Sequence, residues 1–192
     1  MAEVHIVGSL VGGKDFDQGG LFCKWHFVTD DGRPDNKRWM LLEGAASGQT
    51  QVDVNDNSDT CVWATPIDVH YSTTTIHGWP KFSCEVWSQD AHGRNMLAGY
   101  GFCHVPSTPG EYDLRVCCWR PKPQSWLEFV SSFFLGTYPR LKNPDLVWRQ
   151  DDRYRLNTVT VGTVQLKLAV VTQGFERQGV LVPAPSAMPE SY

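Results

Sequence analysis

Cys103 and His104 are the one place in this sequence where a thiol and an imidazole are adjacent. Nucleophilic catalysis requires a thiol or hydroxyl within hydrogen-bond reach of such a base. Adjacent residues of a strand point to opposite faces of a sheet, however, so these two side chains should diverge. The sequence also contains no Gly-x-Ser-x-Gly elbow, no His-Glu-x-x-His motif and no Walker loop. We therefore expect no catalytic residues and no enzymatic activity.

Metal binding is the second chemistry to consider. Zinc sites bring two ligands close along the chain, whereas the only close cysteines are the neighbours Cys117 and Cys118. The acidic segment 53–59, which contains Asp53, Asp56 and Asp59, does not fit an EF-hand loop, because its sixth position is a serine. Calcium stays open as an alternative through other turn carboxylates, namely Asp15, Asp17, Asp30, Asp31, Asp35, Asp151 and Asp152. We expect no metal site and no cofactor.

Strands must position these residues, because apolar and polar side chains alternate along several segments. Leu21, Cys23, Trp25 and Phe27 share one face of a predicted strand, with Lys24 on the other. The same period of two predicts strands at 82–86 and 112–118, and β-rich segments bounded by turn residues predict five more, at 4–10, 61–64, 67–71, 96–105 and 158–171. Between 86 and 96, residues 89–93 are typical of a hairpin turn.

The strand at 158–171 changes phase. Val159 and Val161 are at odd positions, whereas the apolar residues from Val164 onward are at even ones, so we expect a bulge at Gly162 and Thr163. About eight short strands with little helix between them favour an all-β fold, a two-layer antiparallel sandwich, with a closed barrel as the alternative.

One segment has helical spacing instead. Apolar residues recur at i, i+3, i+4, i+7 and i+8 from Trp126, which predicts a short amphipathic helix at about 125–135. Ser125 with Glu128 resembles a capping box, and Gly136 stands where a C-terminal cap belongs. The aromatic stripe indicates core or a subunit interface, and insertion into a membrane is the alternative.

Composition sets the remaining limits. The 192 residues suit a single domain, here 1–179, and the proline-rich segment 180–192 is expected to be a flexible tail. A net charge of -4 has the wrong sign for a protein that grips nucleic acid phosphates, so we expect no nucleic-acid partner. The first residues lack the pattern of a signal peptide, which favours an intracellular protein with reduced cysteines.

Nearly the whole chain, roughly residues 1 to 180, resembles the B-nine (B9) domain family. The resemblance is strongest in two central segments, 78–94 (GWPKFSCEVWSQDAHGR) and 99–110 (GYGFCHVPSTPG). It continues through MAEVHIVG, LFCKW, GQTQV, DRYRL and GTVQLKL, at 1–8, 21–25, 48–52, 152–156 and 162–168. Among the short paralogues that are little more than the domain itself, the chain is most similar to the second.

The resemblance implies a C2-like β-sandwich and a non-catalytic subunit of the ciliary transition zone, in the Meckel and tectonic complex. It implies sister B-nine proteins as partners in a hetero-oligomer, links to tectonics, and a role in cilium assembly and the ciliary gate. The implied location is the cytoplasmic side of the cilium base, at the transition zone or basal body and associated with the centrosome. The alternative function is a peripheral C2-like module that binds membrane lipid, aided by calcium.

Two groups of residues are candidates for partner-facing positions. Trp87 and Arg94 lie in the family motif, and aromatic and arginine side chains anchor many interfaces. Trp126, Phe129 and Phe133 form the stripe of the predicted helix. As structural residues, Gly99 and Gly101 are expected to leave room for a large neighbour such as Trp87 or Trp79.

Overall fold

The computed structural model describes residues 1–29, 38–54, 59–122, 140–149, 156–176 and 179. The helix predicted at about 125–135, with Trp126, Phe129 and Phe133, lies outside the described residues, as does the predicted tail at 180–192. The division into a domain at 1–179 and a tail therefore stays a prediction.

Within the described residues the fold is all-β, as predicted, and every strand pairing is antiparallel. The strands are β1 (Ala2–Lys14), β2 (Leu21–Val28), β3 (Trp39–Gly44), β4 (Ser47–Gln49), β5 (Thr60–Thr73), β6 (Lys81–Gln89), β7 (Asn95–His104), β8 (Gly110–Pro121) and β9 (Thr158–Gln173). A 3-10 helix at Pro144–Val147 precedes β9.

The strand order is β3-β5-β1-β9-β8-β7-β6-β2-β4, which makes one curled sheet of nine strands. Its continuity depends on a thin link, because β7 and β8 pair only through Tyr100 with Trp119 and Gly101 with Cys118. We call β3-β5-β1-β9-β8 the first layer and β7-β6-β2-β4 the second layer. In the described residues β3 and β4, at the two ends of the order, do not pair with each other, so the closed barrel is not formed.

The inner faces of the two layers share one hydrophobic core, which confirms the sandwich. Alternation puts Val4 and Ile6 of β1, Cys84 and Val86 of β6, and Leu166 of β9 into it with no exposed surface. The indole N–H of Trp63 on β5 donates to the main-chain carbonyl of Leu21 on β2 at 3.0 Å, and so joins the layers directly. The face predicted for β2 is also confirmed, since Trp25 is buried and Lys24 is exposed.

One strand replaces two of the predicted ones. The sequence suggested a break between 64 and 67, where Pro66 stands, but β5 runs without interruption from Thr60 to Thr73. Proline is tolerated because β3 pairs only with residues 69–73, so β5 is an edge strand at Pro66 and its missing N–H breaks no pairing there. The register with β1 shifts beside Ala64, which has a φ of 46°.

Three further features differ from expectation. The short strands β3 and β4 were not predicted, because a single edge strand has too few residues to show a period. The bulge in β9 leaves Val161 unpaired, one residue before the predicted position. The nearest neighbours of Cβ atoms added at Gly99 and Gly101 would be Val161 and the cluster Cys84, Val116 and Cys118, not Trp87 or Trp79.

A second hydrophobic cluster covers the outer face of the second layer and extends to Trp119 at the adjoining end of β8. Leu97 and Tyr100 of β7 and Trp119 of β8 lie under Val147 and Trp148, which come from the connection that precedes β9. The described part of this connection, residues 140–149, contains the 3-10 helix and no strand. It nevertheless buries Trp148 to 3% exposure. The polar positions expected on this outer face are therefore partly buried, and Ser83 is an example.

Candidate functional site

Cys103 and His104 diverge as predicted. Cys103 points inward and packs against the core, and burial raises the pKa of its thiol to about 12. His104 is exposed on the other face, where its ring meets the edge of Phe102. A thiol that is protonated and separated from the imidazole is not an activated nucleophile.

Cys117 and Cys118 also diverge, with Cys117 exposed and Cys118 fully buried. Cys118 lies in the core with Cys23 and Cys84, which are likewise without exposed surface. Burial raises the pKa of the Cys23 thiol well above its usual range. Free cysteines with no exposed surface pack as small apolar side chains.

The carboxylates of Asp53 and Asp17, two of the candidate calcium ligands, have separate protein partners. The carboxylate of Asp53 accepts from the N–H of Val62 at 2.7 Å, and that of Asp17 lies 3.7 Å from the guanidinium of Arg120. In the part of the chain that the structure describes, these residues do not converge as a group of three metal ligands. Asp15 and Asp59 are joined through their main chains, since the N–H of Asp15 donates to the carbonyl of Asp59 at 2.9 Å. The other candidates lie outside the described residues, namely Asp30, Asp31, Asp35, Asp56, Asp151 and Asp152.

A cluster of potential ligands forms where the sequence did not predict one. Alternation buries Ala2, Val4 and Ile6 of β1, so Glu3 and His5 stand on the outer face of the first layer. The register of β1 with β5 places His70 directly opposite His5. The two rings stack with centroids 3.6 Å apart, and Nε2 of His70 lies 3.2 Å from Oε2 of Glu3. One ligand atom from each of the three residues lies within 4.8 Å of the others.

The Glu3-His5-His70 cluster was missed because its decisive contact joins residues far apart in sequence. Glu3 and His5, two residues apart on a strand, were a local signal that they share a face. The partner of His5 depends on the register of β1 with β5, which the sequence pattern leaves unspecified.

The motif residues Asp90, Gly93 and Arg94 build the hairpin turn between β6 and β7. The carboxylate of Asp90 accepts from the main-chain N–H groups of His92 at 2.9 Å and Arg94 at 2.8 Å, and from the Arg94 side chain at 2.7 Å. The Arg94 main-chain N–H, with its guanidinium and the His92 N–H, lowers the pKa of this carboxyl. Gly93 adopts a φ of 75°. Arg94 thus has a structural role, while most of its side chain remains exposed.

Trp87 lies near this hairpin on the outer face of β6, half-buried against the second cluster. Its indole N–H donates to the carboxylate of Glu85 at 3.0 Å. Arg140 lies 4.6 Å and Lys24 5.2 Å from its ring centroid, so the ring is held by two cations. Trp87 therefore contributes to the covered face, and Arg94 is the more accessible of the two motif candidates.

The largest run of exposed apolar side chains in the described strands is on β3. Met40, Leu41 and Leu42 are 51%, 42% and 46% exposed. Three consecutive apolar residues are therefore exposed, so both faces of this strand carry apolar surface. β3 pairs with β5 on one side, and no strand among the described residues pairs with its other side. An apolar edge strand of this kind is a template for pairing with another chain.

The model of a protein family described as "Ciliary basal body-associated, B9 protein" matches residues 4–171. The chain belongs to this B9 family.

Relatives in the family agree with this assignment. The chain is 46% identical over 180 residues to B9 domain-containing protein 2 of Danio rerio and 47% identical to that of Xenopus laevis, covering 94% of this chain and 99% and 98% of theirs. It is 30% identical to human B9 domain-containing protein 1, over 90% of this chain and 86% of that protein.

A C2A domain of plant extended synaptotagmin 1 is 10% identical and superposes with a TM-score of 0.43, over 88% of this chain and 93% of that domain.

The family resemblance found in the sequence is confirmed, as is the greater similarity to the second short paralogue. Membership of a basal body-associated family assigns this B9 chain to the base of the cilium. The family is described by its cellular place and not by a reaction. No helix in the described part of the chain has the length and apolar character needed to cross a bilayer.

Proposed function

We propose that this chain is a non-catalytic subunit of the ciliary transition-zone complex, the Meckel and tectonic assembly, and acts by binding sister B9 proteins. In this role it contributes to cilium assembly and the ciliary gate on the cytoplasmic side of the cilium base, near the centrosome. Its links to tectonics run through that assembly.

The observation that carries the proposal is the edge strand β3. Burying Met40, Leu41 and Leu42 against a partner would remove apolar surface from water and satisfy the main-chain groups of the outer edge. A homologous B9 protein supplies a partner of the same architecture, since B9 domain-containing protein 1 matches along 90% of this chain. Edge-to-edge pairing of two such sheets is a direct way to join them.

The motif candidates Trp87 and Arg94 form a second proposed contact. Arg94 extends from the hairpin with its side chain 75% exposed, and Arg140 and Lys24 add positive charge around Trp87. This group would suit an acidic or aromatic surface of a partner. Trp126, Phe129 and Phe133 stay sequence-based candidates for the same role.

The test is co-expression of the chain with its two sister B9 proteins, followed by size-exclusion chromatography with light scattering. We expect a defined heteromeric peak. The variant Met40→Lys/Leu42→Lys places charge on the edge, which is how natural sheets block edge pairing, and should remain monomeric. The matched control Val62→Lys/Val171→Lys changes two exposed valines away from β3, which are 62% and 56% exposed, and should assemble normally.

Two results would contradict parts of this proposal. A wild-type chain that elutes alone beside both sister proteins would remove the assembly function. If the edge variant assembles as well as the control while Arg94→Glu does not, the partner binds at the hairpin and not at β3. Flotation of a monomer with anionic liposomes would instead favour the peripheral membrane module, and calcium dependence of the flotation would implicate the acidic turns.

A further inference from the structure

The Glu3-His5-His70 cluster has no part in the proposed assembly, yet it gathers three metal-binding side chains on one rigid surface. Two imidazole nitrogens and one carboxylate oxygen form a ligand set suited to zinc and its neighbours among the divalent transition metals. Magnesium and calcium prefer oxygen ligands alone. The chemistry of the cluster therefore selects one class of ion.

The distances are compatible with one bound ion. Ligands at about 2.0–2.1 Å from a tetrahedral zinc lie about 3.3 Å from one another. Nε2 of His70 and Oε2 of Glu3 are already 3.2 Å apart, and all three ligand atoms lie within 4.8 Å of one another. The rings of His5 and His70 are stacked with 21° between their planes, so their in-plane lone pairs point in similar directions, and the His5 ring would have to rotate about its Cβ–Cγ bond to share one ion with His70.

The backbone holds these ligands in place. β1 is paired on both sides, with β5 and with β9, and His5 lies between His70 and Val171 in the two registers. Glu3 lies two residues before His5 on β1, so strand alternation places it on the same face as His5. Sites built on paired strands are more exact in position than sites built on loops.

The surroundings also favour binding. The side chains of His70 and Glu3 are 16% and 37% exposed, so the site is sheltered but open to an ion from solvent. The stacked rings place two imidazole donors 3.6 Å apart between centroids, beside the carboxylate of Glu3. The register places Glu43 of β3 opposite His70 on the same face, which adds negative charge near the cluster.

We propose that Glu3, His5 and His70 form a binding site for a divalent transition-metal ion such as zinc, with the remaining coordination position open to solvent. The bound ion would cross-link β1 to β5 on the outer face of the first layer. This inference does not depend on the proposed assembly function.

The test is titration of untagged full-length chain with zinc chloride by calorimetry, with cobalt absorption as a second probe. We expect one ion per chain, a rise in thermal midpoint with zinc, and release on acidification because the imidazoles must be neutral to bind. The variant His5→Gln/His70→Gln should lose binding. Glutamine retains a hydrogen-bonding side chain beside Glu3, so the metal-free thermal midpoint should change little, which separates lost ligands from lost folding.

Controls address the other exposed ligands. His104→Gln and Cys117→Ser should each bind zinc as the wild type does, and the cobalt complex should lack thiolate absorption. The proposal is overturned if the wild-type chain binds no zinc, if the His5→Gln/His70→Gln variant binds it equally well, or if Cys117→Ser abolishes binding. Loss of assembly with sister proteins would leave this outcome unchanged, so the two proposals fail separately.

Discussion

The outer faces of the two layers are built in different ways. On the second layer, the connection before β9 places Val147 and Trp148 over Leu97 and Tyr100. On the first layer, nothing among the described residues covers the outer face at comparable depth. It carries the Glu3-His5-His70 cluster, the exposed Val7 and Val171, and a shallow groove of about 420 Å³ lined in part by Lys167 and Asp113.

Strand alternation therefore has different consequences on the two layers. Where a face is covered, a polar position such as Ser83 becomes buried and an aromatic one such as Trp87 becomes part of a core. Where a face is bare, side chains at the same type of position remain available for ligands and partners. The covered face contributes to stability, whereas side chains of the bare face stay accessible to solvent.

Truncation of an aromatic side chain on the covered face should destabilise the fold far more than truncation of a side chain on the bare face. Trp148→Ala removes a side chain that is 3% exposed and should lower the free energy of unfolding by about 3–5 kcal/mol. Val171→Ala on the bare face, where the side chain is 56% exposed, should change it by less than about 0.5 kcal/mol. Urea unfolding of both variants measures the difference, and equal small effects would mean that the covering segment is not a true core.

A second substitution tests the hydrophobic core that the two layers share. Gly101 lies at the thin link between the layers, and a Cβ there would approach Sγ of Cys118 and Cγ1 of Val116 to 2.9 Å and Sγ of Cys84 to 3.0 Å. Gly101→Ala should therefore cost about 1–3 kcal/mol through overpacking. Ser107→Ala in an exposed turn is the control. A neutral Gly101→Ala in thermal unfolding would show that these side chains can move apart without cost.

The smallest expected effect concerns the hairpin at the end of the covered face. The pKa of Asp90 is lowered in the folded state, so its ionised form stabilises the fold at neutral pH, and this contribution is lost as acid protonates it. Asp90→Asn should lower the thermal midpoint slightly at neutral pH, and the gap to wild type should close below the usual aspartate range. A gap that stays constant with pH would assign the effect to turn geometry instead of charge.

Much of the fold could be predicted from the sequence because alternation is a local signal. The inward faces of β2, β8 and β9, the hairpin at 89–93 and the opposite directions of Cys117 and Cys118 all follow from a period of two and from turn chemistry. The family resemblance supplied the ciliary assignment, which composition and periodicity do not contain.

The errors share a different cause. A continuous strand through Pro66 depends on where β3 stops pairing with β5, and the neighbours of Gly101 depend on how β6, β7 and β8 meet. The pairing of His5 with His70 also depends on register between distant segments. Each is a long-range relation, and a single sequence does not specify such relations.

The position of β1 has a consequence for how the molecule forms. β1 is synthesised first but lies between β5 and β9, and Val4 pairs with Thr172 near the other end of the family match. The hairpin of β6 and β7 can close as soon as it leaves the ribosome, whereas the first layer must wait for β9. Such distant pairings slow folding. We therefore expect nascent chains that lack β9 to expose β1 and β8 together, and to be the species that chaperones bind.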